Sequence, residues 1–227
     1  MGSSSLERAG TRRDNITQKE GNMRIIKSVA ALALLGWSGM AAAHFVWLEP
    51  AGDTKVRAYF GEWADDLREK TDGFLGKVVV EPSLNGKKVK PAATGADYYE
   101  FDARGETRLG QSVLFKETLL DYSARLGRDD TRAQLPLEFA PTAAGGNTFV
   151  LTFEGKPLPK TEVTVFGPPK WMKQFRTDEA GKFTIETPWP GQYVLEAGHT
   201  LEQAGQHDGK PYTKKRYVST LTFERAQ

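Results

Sequence analysis

The chain of 227 residues has no cysteine, only three histidines, and no apolar run as long as the ~20 residues that a membrane-spanning helix needs. Without cysteine there is no disulfide, so packing alone must hold the fold. The same absence excludes thiolate from any metal site, which leaves nitrogen and oxygen ligands. A G-x-S-x-G nucleophile, an H-E-x-x-H zinc motif and a phosphate-binding loop are also missing from the sequence. A binding protein is therefore expected more than an enzyme.

A leader typical of export lies near the start of the chain. Residues 23–43 begin with positive charges at Arg24 and Lys27, continue as an apolar stretch, and finish in small residues up to Ala43. We predict that this segment is a cleaved signal peptide and that residues 1–22 are a disordered upstream extension. The mature protein is then expected in the periplasm, soluble and not spanning the membrane.

The basic character of the whole chain comes from this leader. Six of the 31 basic residues and three of the 29 acidic residues precede position 44, so the remaining 184 residues carry 25 basic and 26 acidic side chains. Binding to nucleic acid needs a clustered basic face. We therefore predict no nucleic-acid partner.

Short runs of β-branched and aromatic residues, separated by Gly and Pro, follow the leader. Alternation of apolar and polar residues, as over residues 55–62, is typical of β-strands, and no long amphipathic helix is indicated. We predict an all-β protein with two small antiparallel β-sandwich domains, residues 44–154 and 155–227. The regular strand and turn spacing of the second predicts an immunoglobulin-like or prealbumin-like sandwich.

Three local expectations follow from the same patterns. Residues 76–89 are interpreted as strand, Asn85-Gly86 turn, and strand. Residues 122–136 are charged and lack periodicity, so they are interpreted as a surface loop. A turn over residues 178–181 is expected to lead into a strand whose Phe183 points inward.

The three histidines are the candidate metal ligands. His44 would be the first residue of the mature chain, His199 ends a predicted strand, and His207 lies in a Gly-containing loop. An N-terminal histidine offers its α-amine and its Nδ1 to one metal, and a second histidine would complete a three-nitrogen histidine brace. Such nitrogen sites favour Cu(II), with Ni(II) next. The alternative is that all three histidines are incidental surface residues.

Two stretches resemble an exported bacterial family of largely uncharacterised function. These are "AHFVWLEP" at residues 43–50 and "PGQYVLEAGHTLEQAGQHDGKPYTKKRYVSTLTF" at residues 190–223, with "AYFGEW" at residues 58–63 in support. That family is commonly described as the periplasmic component of nickel or cobalt uptake. The resemblance implies metal binding, two β-domains, and His44 and His199 as ligands, with His207 as a less certain third.

We therefore expect a periplasmic protein that binds one divalent transition metal, with copper favoured and nickel or cobalt as alternatives, for uptake, delivery or buffering. An inner-membrane transporter is the expected protein partner. Glu62 is a candidate acceptor for a ligand histidine N–H. Two alternatives stay open. One is a copper-dependent monooxygenase, which would use the loop residues Trp171 and Trp189, and the other is a metal-free structural or ligand-binding β-sandwich.

Overall fold

The computed structural model describes residues 44–227, so the predicted extension and signal peptide lie outside the described residues. The described residues form short and medium strands with a single helical turn. In chain order these are β1 (Phe45–Pro50), β2 (Lys55–Glu62), β3 (Leu67–Arg68), α1 (Leu75–Val78), β4 (Ser83–Leu84), β5 (Lys87–Lys88), β6 (Ala93–Thr94), β7 (Tyr99–Asp102), β8 (Thr107–Phe115), β9 (Thr118–Leu126), β10 (Leu137–Pro141), β11 (Thr148–Phe153), β12 (Lys156–Pro157), β13 (Glu162–Gly167), β14 (Trp171–Arg176), β15 (Lys182–Thr184), β16 (Gly191–Leu201), β17 (Gly205–His207), β18 (Lys210–Tyr212) and β19 (Lys214–Arg225).

Most of these strands belong to three sheets. The central sheet has eight strands in the order β14-β13-β16-β19-β9-β8-β4-β5. The first outer sheet has the order β1-β2-β7-β6, with β3 paired to β2, and the second outer sheet has the order β10-β11-β12, with β15 paired to β11. Strands β17 and β18 form a separate hairpin.

The two outer sheets cover opposite faces of the central sheet. Along β16, Val194 belongs to the core shared with the first outer sheet, whereas Leu195 belongs to the core shared with the second. The same alternation occurs in β19, where Val218 and Tyr217 belong to the first and second core respectively. Because successive strand side chains point to opposite faces, the central sheet is apolar on both. The prediction of an all-β sandwich fold is confirmed.

Strands from both sides of residue 155 build the central sheet. β19 lies between β16, to which it is antiparallel, and β9, to which it is parallel over residues 214–222. Residues 44–227 lie in one compact unit. The division at residue 155 stays a prediction, and the described strands on its two sides share one sheet. No helix among residues 44–227 is long and apolar enough to cross a membrane.

Local turn chemistry explains where several strands begin and end. Asn85 and Gly86 have φ of 49° and 79°, which is the pair of positive values that a two-residue hairpin turn requires, so the predicted turn is confirmed. The turn before β15 is closed by Gly181 N–H, which donates to the Asp178 carbonyl at 3.0 Å. Phe183 is buried as predicted.

Two local predictions differ from the structure. The start of the predicted strand at residues 76–89 is the helical turn α1, which is closed by the Val79 amide donating to the Leu75 carbonyl. Residues 122–126 of the predicted surface loop belong to β9, in which Arg125 is fully buried. The second prediction was wrong for residues 122–126. A charged segment suggests solvent exposure, but ion pairs with distant residues allow Arg125 to be buried.

Those ion pairs form a buried cluster between the central sheet and the second outer sheet. The Glu138 carboxylate on β10 accepts hydrogen bonds from Arg108 Nε at 2.6 Å and from Arg125 Nη1 at 3.2 Å. Arg125 also donates to the carbonyl oxygen of Phe139 and to the carboxylate of Glu106. Buried charges are tolerated only when they are paired in this way.

Glu196 is a half-buried carboxyl on the face of the central sheet that the first outer sheet covers. It pairs across strands with Thr220, whose hydroxyl donates to the Val46 carbonyl at 2.7 Å, so both side chains point to that outer sheet. Burial raises the pKa of Glu196 from 4.5 to about 7; the Arg216 charge opposes this rise and the Glu162 charge adds to it. The Glu196 carboxyl therefore holds its proton more tightly in the folded protein than in the unfolded chain.

We expect a stability contribution from Glu196 that is full below about pH 4.5 and is lost as the pH rises through about 7. Glu196→Gln should remove this decline and raise the free energy of unfolding at pH 8 by about 1–3 kcal/mol. Urea denaturation at pH 5, 6, 7 and 8 measures the effect. The exposed strand residue Glu224 gives the control Glu224→Gln. Parallel pH profiles for Glu196→Gln and the parent would contradict the prediction.

Candidate metal centre

His44 immediately precedes β1, at the edge of the first outer sheet. Its ring centroid is 5.5 Å from that of Phe60, which packs in turn against Tyr122 of the central sheet. The His44 side chain is 37% exposed, so solvent and a partner can reach it although its ring packs on Phe60. The histidine at the predicted mature N-terminus is therefore held against the folded domain.

Both ring nitrogens of His44 face a carboxylate. Nδ1 lies 3.2 Å from Oε1 of Glu62, the last residue of β2, and Nε2 lies 3.2 Å from Oε1 of Glu69, which follows β3. A neutral imidazole carries one N–H, so it can donate to only one of these two oxygens. A proton or a metal ion on the other nitrogen is needed for both contacts to be favourable.

A tight return of the chain brings Glu69 beside Glu62. β3 pairs back on β2, with Gly61 opposite Arg68 and Glu62 opposite Leu67. Gly61 has a φ of 151°, and a Cβ there would lie 2.0 Å from the Leu67 carbonyl oxygen, so only glycine fits. The glycine of "YFGE" thus permits the fold-back that places the second carboxylate at His44.

A hydrogen-bonded cluster beneath this corner uses Glu49. The Glu49 carboxylate accepts from Trp47 Nε1 at 2.8 Å and from Arg68 Nη2 at 2.9 Å. The Arg68 guanidinium also lies over the Tyr59 ring, 3.9 Å from its centroid. Glu49 therefore joins β1 to β3 and supports the position of the neighbouring Glu69, while its carboxylate is occupied by these two donors.

His199 lies in different surroundings, on the opposite face of the central sheet. It pairs across strands with Tyr217 of β19, and its ring centroid is 4.6 Å from that of Phe153. Phe153 and Tyr217 belong to the core under the second outer sheet, whereas Phe60, on which His44 packs, belongs to the core under the first. The central sheet therefore separates His199 from His44.

His207 lies on the β17–β18 hairpin and borders a surface cleft. Its Nε2 is 3.6 Å from Asp208 Oδ2, and the residue lines this cleft together with Asp121 of β9. The three histidines thus occupy three separate environments. Within residues 44–227, no three His, Asp or Glu side chains are placed to hold one metal ion in common. The cluster around His44 agrees with this, because its two carboxylates face opposite ring nitrogens.

The structure pairs His44 with one residue that the sequence singled out and with one that it did not. Glu62 was expected as an acceptor for a ligand histidine, and it lies beside Nδ1. The sequence did not indicate Glu69, because "DDLREKT" at residues 65–71 mixes charges of both signs, as an exposed segment usually does. The available signal for Glu69 was Gly61, the glycine before Glu62. It lies in β2 where the chain folds back as β3.

Part of the chain matches a protein-family model. Residues 90–201 match the model of a domain of unknown function, DUF4198. The matched segment contains His199 but neither His44 nor the two carboxylates at its ring. No curated protein matches the chain.

Proposed function

We propose that the protein, cleaved so that His44 is its first residue, binds one divalent transition-metal ion in the periplasm and serves in its uptake, delivery or buffering. Copper is favoured, with nickel or cobalt as alternatives. The observation that carries this proposal is the pair of 3.2 Å contacts between the two His44 ring nitrogens and the carboxylates of Glu62 and Glu69. Glu62 offers a carboxylate oxygen to an ion bound at Nδ1, and Glu69 offers a hydrogen-bond acceptor to Nε2–H.

The donor atoms at the His44 corner fit a metal ion. The free α-amine and Nδ1 of an N-terminal histidine close a six-membered chelate ring, which leaves Nε2 directed away from the metal. Two ligands, each about 2.0–2.2 Å from one ion and near a right angle to each other, lie about 3 Å apart. The 3.2 Å between Nδ1 and Glu62 Oε1 matches that separation. The α-amine, Nδ1 and Glu62 would therefore hold the ion together.

Glu69 has a different role in this arrangement, because it faces the nitrogen that the chelate does not use. By accepting a hydrogen bond from Nε2–H, Glu69 fixes the tautomer in which Nδ1 presents its lone pair. Metal-bound histidines in general have such an outer partner, and its loss costs about 10- to 100-fold in affinity. Glu69 is thus proposed as a positioning residue and Glu62 as a ligand.

The donor atoms at this site, two nitrogens and one oxygen, favour a divalent metal ion over a monovalent one. Two nitrogens and one carboxylate oxygen suit Cu(II), Ni(II) and Co(II), whereas Cu(I) prefers thiolate and thioether ligands. The sequence has no cysteine, and Met172, the one methionine after residue 43, lies on the edge strand β14. Divalent ions are therefore the proposed cargo. The partial exposure of His44 and Glu62 leaves the ion accessible to a receiving transporter.

The carboxylate roles are tested in protein that begins at His44. Isothermal titration with Cu(II), Ni(II) and Co(II) should give one ion per chain. Glu69→Gln should weaken binding by about 10- to 100-fold because it loses an outer partner, and Glu62→Gln should weaken binding at least as much because it loses a ligand. His199→Ala and His207→Ala are the matched histidine controls and should bind the ion as the parent does. Parental affinity in His44→Ala would overturn the proposal.

A further inference from the structure

A cleft separate from the His44 corner lies where β8, β4 and the β17–β18 hairpin meet. Its volume is about 720 Å³, which is within the range of small-molecule sites. β4 pairs with β8 only at Gly110 and Leu109, so residues 111–115 have no strand on that side. Their side chains are mostly half-buried, and several of them line the cleft.

The β17–β18 hairpin forms one wall of this cleft. It pairs with no other described strand, and a lone two-stranded hairpin is at best marginally stable in water. At its base the Thr213 amide donates to the Glu117 carbonyl at 2.9 Å, which ties the hairpin to the turn between β8 and β9. His207 and Lys210 of the hairpin line the cleft. No residue of β17 or β18 belongs to either hydrophobic core. A surface hairpin without a role in core packing is typical of a binding loop.

A buried carboxylate, Asp121 of β9, lies at the floor. Asp121 is 9% exposed, and its Oδ2 accepts a hydrogen bond from Ser112 Oγ at 2.9 Å. The nearest cation is Lys215 Nζ, 3.8 Å away. Burial raises the pKa of Asp121 despite the Ser112 hydrogen bond and the charges of Lys215 and His207. The carboxylate is therefore incompletely compensated, and a further donor would stabilise its ionised form.

The rest of the lining combines apolar walls with charges of both signs at the rim. Val113, Leu114 and Leu135 are apolar lining residues, while Lys88 and Lys210 are exposed lysines at the rim. The cleft is lined by three carboxylates, those of Asp121, Glu81 and Asp208. Three lysines balance their charge: Lys88 and Lys210 in the lining, and Lys215 beside Asp121. The charges balance, so a ligand of one charge sign gains from one part of the cleft and is repelled by another.

We propose that this cleft binds a small zwitterion with an apolar side chain, of the amino-acid class. The ligand ammonium donates to Asp121 at the floor, and the ligand carboxylate lies toward Lys210 at the rim. Its side chain packs on Leu114 and Leu135, which line the cleft on the Asp121 side of β8. The proposal is independent of the metal site, because none of these residues contacts His44, Glu62 or Glu69.

Three probes of similar shape separate the alternatives: L-leucine, 3-methylbutylamine, which lacks its carboxylate, and 4-methylpentanoate, which lacks its ammonium. Isothermal titration should show leucine binding at least about tenfold more tightly than either partial probe, since leucine makes one more charge-assisted hydrogen bond than each of them. Tighter binding of the amine alone, or of the acid alone, would overturn the zwitterion. So would the absence of leucine binding up to about 10 mM.

Matched variants connect the binding to the cleft. Asp121→Asn keeps the side-chain shape but removes the charge, and Lys210→Met removes the rim cation; each should weaken leucine binding by about tenfold or more. Asp102→Asn removes an exposed carboxylate paired with Lys55 and should leave it unchanged. Thermal unfolding checks that each variant is folded. Unchanged leucine binding in folded Asp121→Asn would refute the site. His44→Ala should bind leucine as the parent does, so failure of the metal proposal is distinguishable.

Discussion

Protein that keeps one residue before His44 is expected to bind Cu(II) at least about 100-fold more weakly than protein that begins at His44, since losing a ligand should exceed the cost of losing an outer partner. The preceding residue turns the α-amine into an amide. An amide nitrogen does not coordinate at neutral pH unless it loses its proton, whereas an α-amine titrates near 8. The chelate ring would then be lost although the imidazole and Glu62 remain.

The comparison uses two forms of the same chain, one exported and cleaved in cells and one made in the cytoplasm with Met before His44. Native mass spectrometry identifies the first residue and counts bound ions, and competition titration gives the affinities. The proposed site also predicts that Glu62→Gln weakens the cleaved form far more than the Met-His form. Equal affinities in the two forms would remove the α-amine from the site and leave the imidazole and Glu62 as an ordinary surface pair.

Glu138→Ala is expected to lower the free energy of unfolding by about 3–5 kcal/mol, the usual cost of removing one partner from a buried ion pair. Glu138 is fully buried and accepts from Arg108, Arg125 and the backbone N–H of Leu135. Without it, two buried guanidinium groups lose a shared partner. The segment before β10 also loses the acceptor for its backbone.

Urea denaturation of the parent and of Glu138→Ala at pH 7 measures this cost. The control Glu81→Ala removes a carboxylate that is 75% exposed beside Lys88, and it should leave stability nearly unchanged because solvent screens exposed pairs. The double variant Arg125→Met with Glu138→Leu should recover part of the loss, since apolar replacement of both partners is often tolerated. A loss in Glu138→Ala as small as that in Glu81→Ala would show that water compensates the arginines.

The buried cluster also explains why "YSARLGRDDTRAQLP" was interpreted as a surface loop. Its charges suggest solvent exposure when each is taken alone. Arg125 is buried because Glu138 and Glu106 meet it from distant positions in the chain. Sequence patterns report the polarity of a side chain but not whether an opposite charge will be placed against it, so buried ion pairs are systematically misread.

The positions of the three histidines also could not be predicted from local sequence patterns. The sequence singled out three residues able to bind a metal, but the face of the sheet on which each lies depends on strand pairing across the whole chain. β9 and β19 are adjacent although their paired residues, such as Thr118 and Lys214, are 96 positions apart in the chain. A one-residue change in such a pairing would move every side chain to the other face.

The sequence by itself determined the all-β class, because alternation and turn residues are local properties of the chain. It also determined the exclusion of thiolate ligands, and it predicts His44 as the first residue after export. Only the tertiary structure decided that Glu62 and Glu69 flank this histidine and that the central sheet separates it from His199. These relations rest on non-local strand pairing and close backbone packing, which no local pattern specifies.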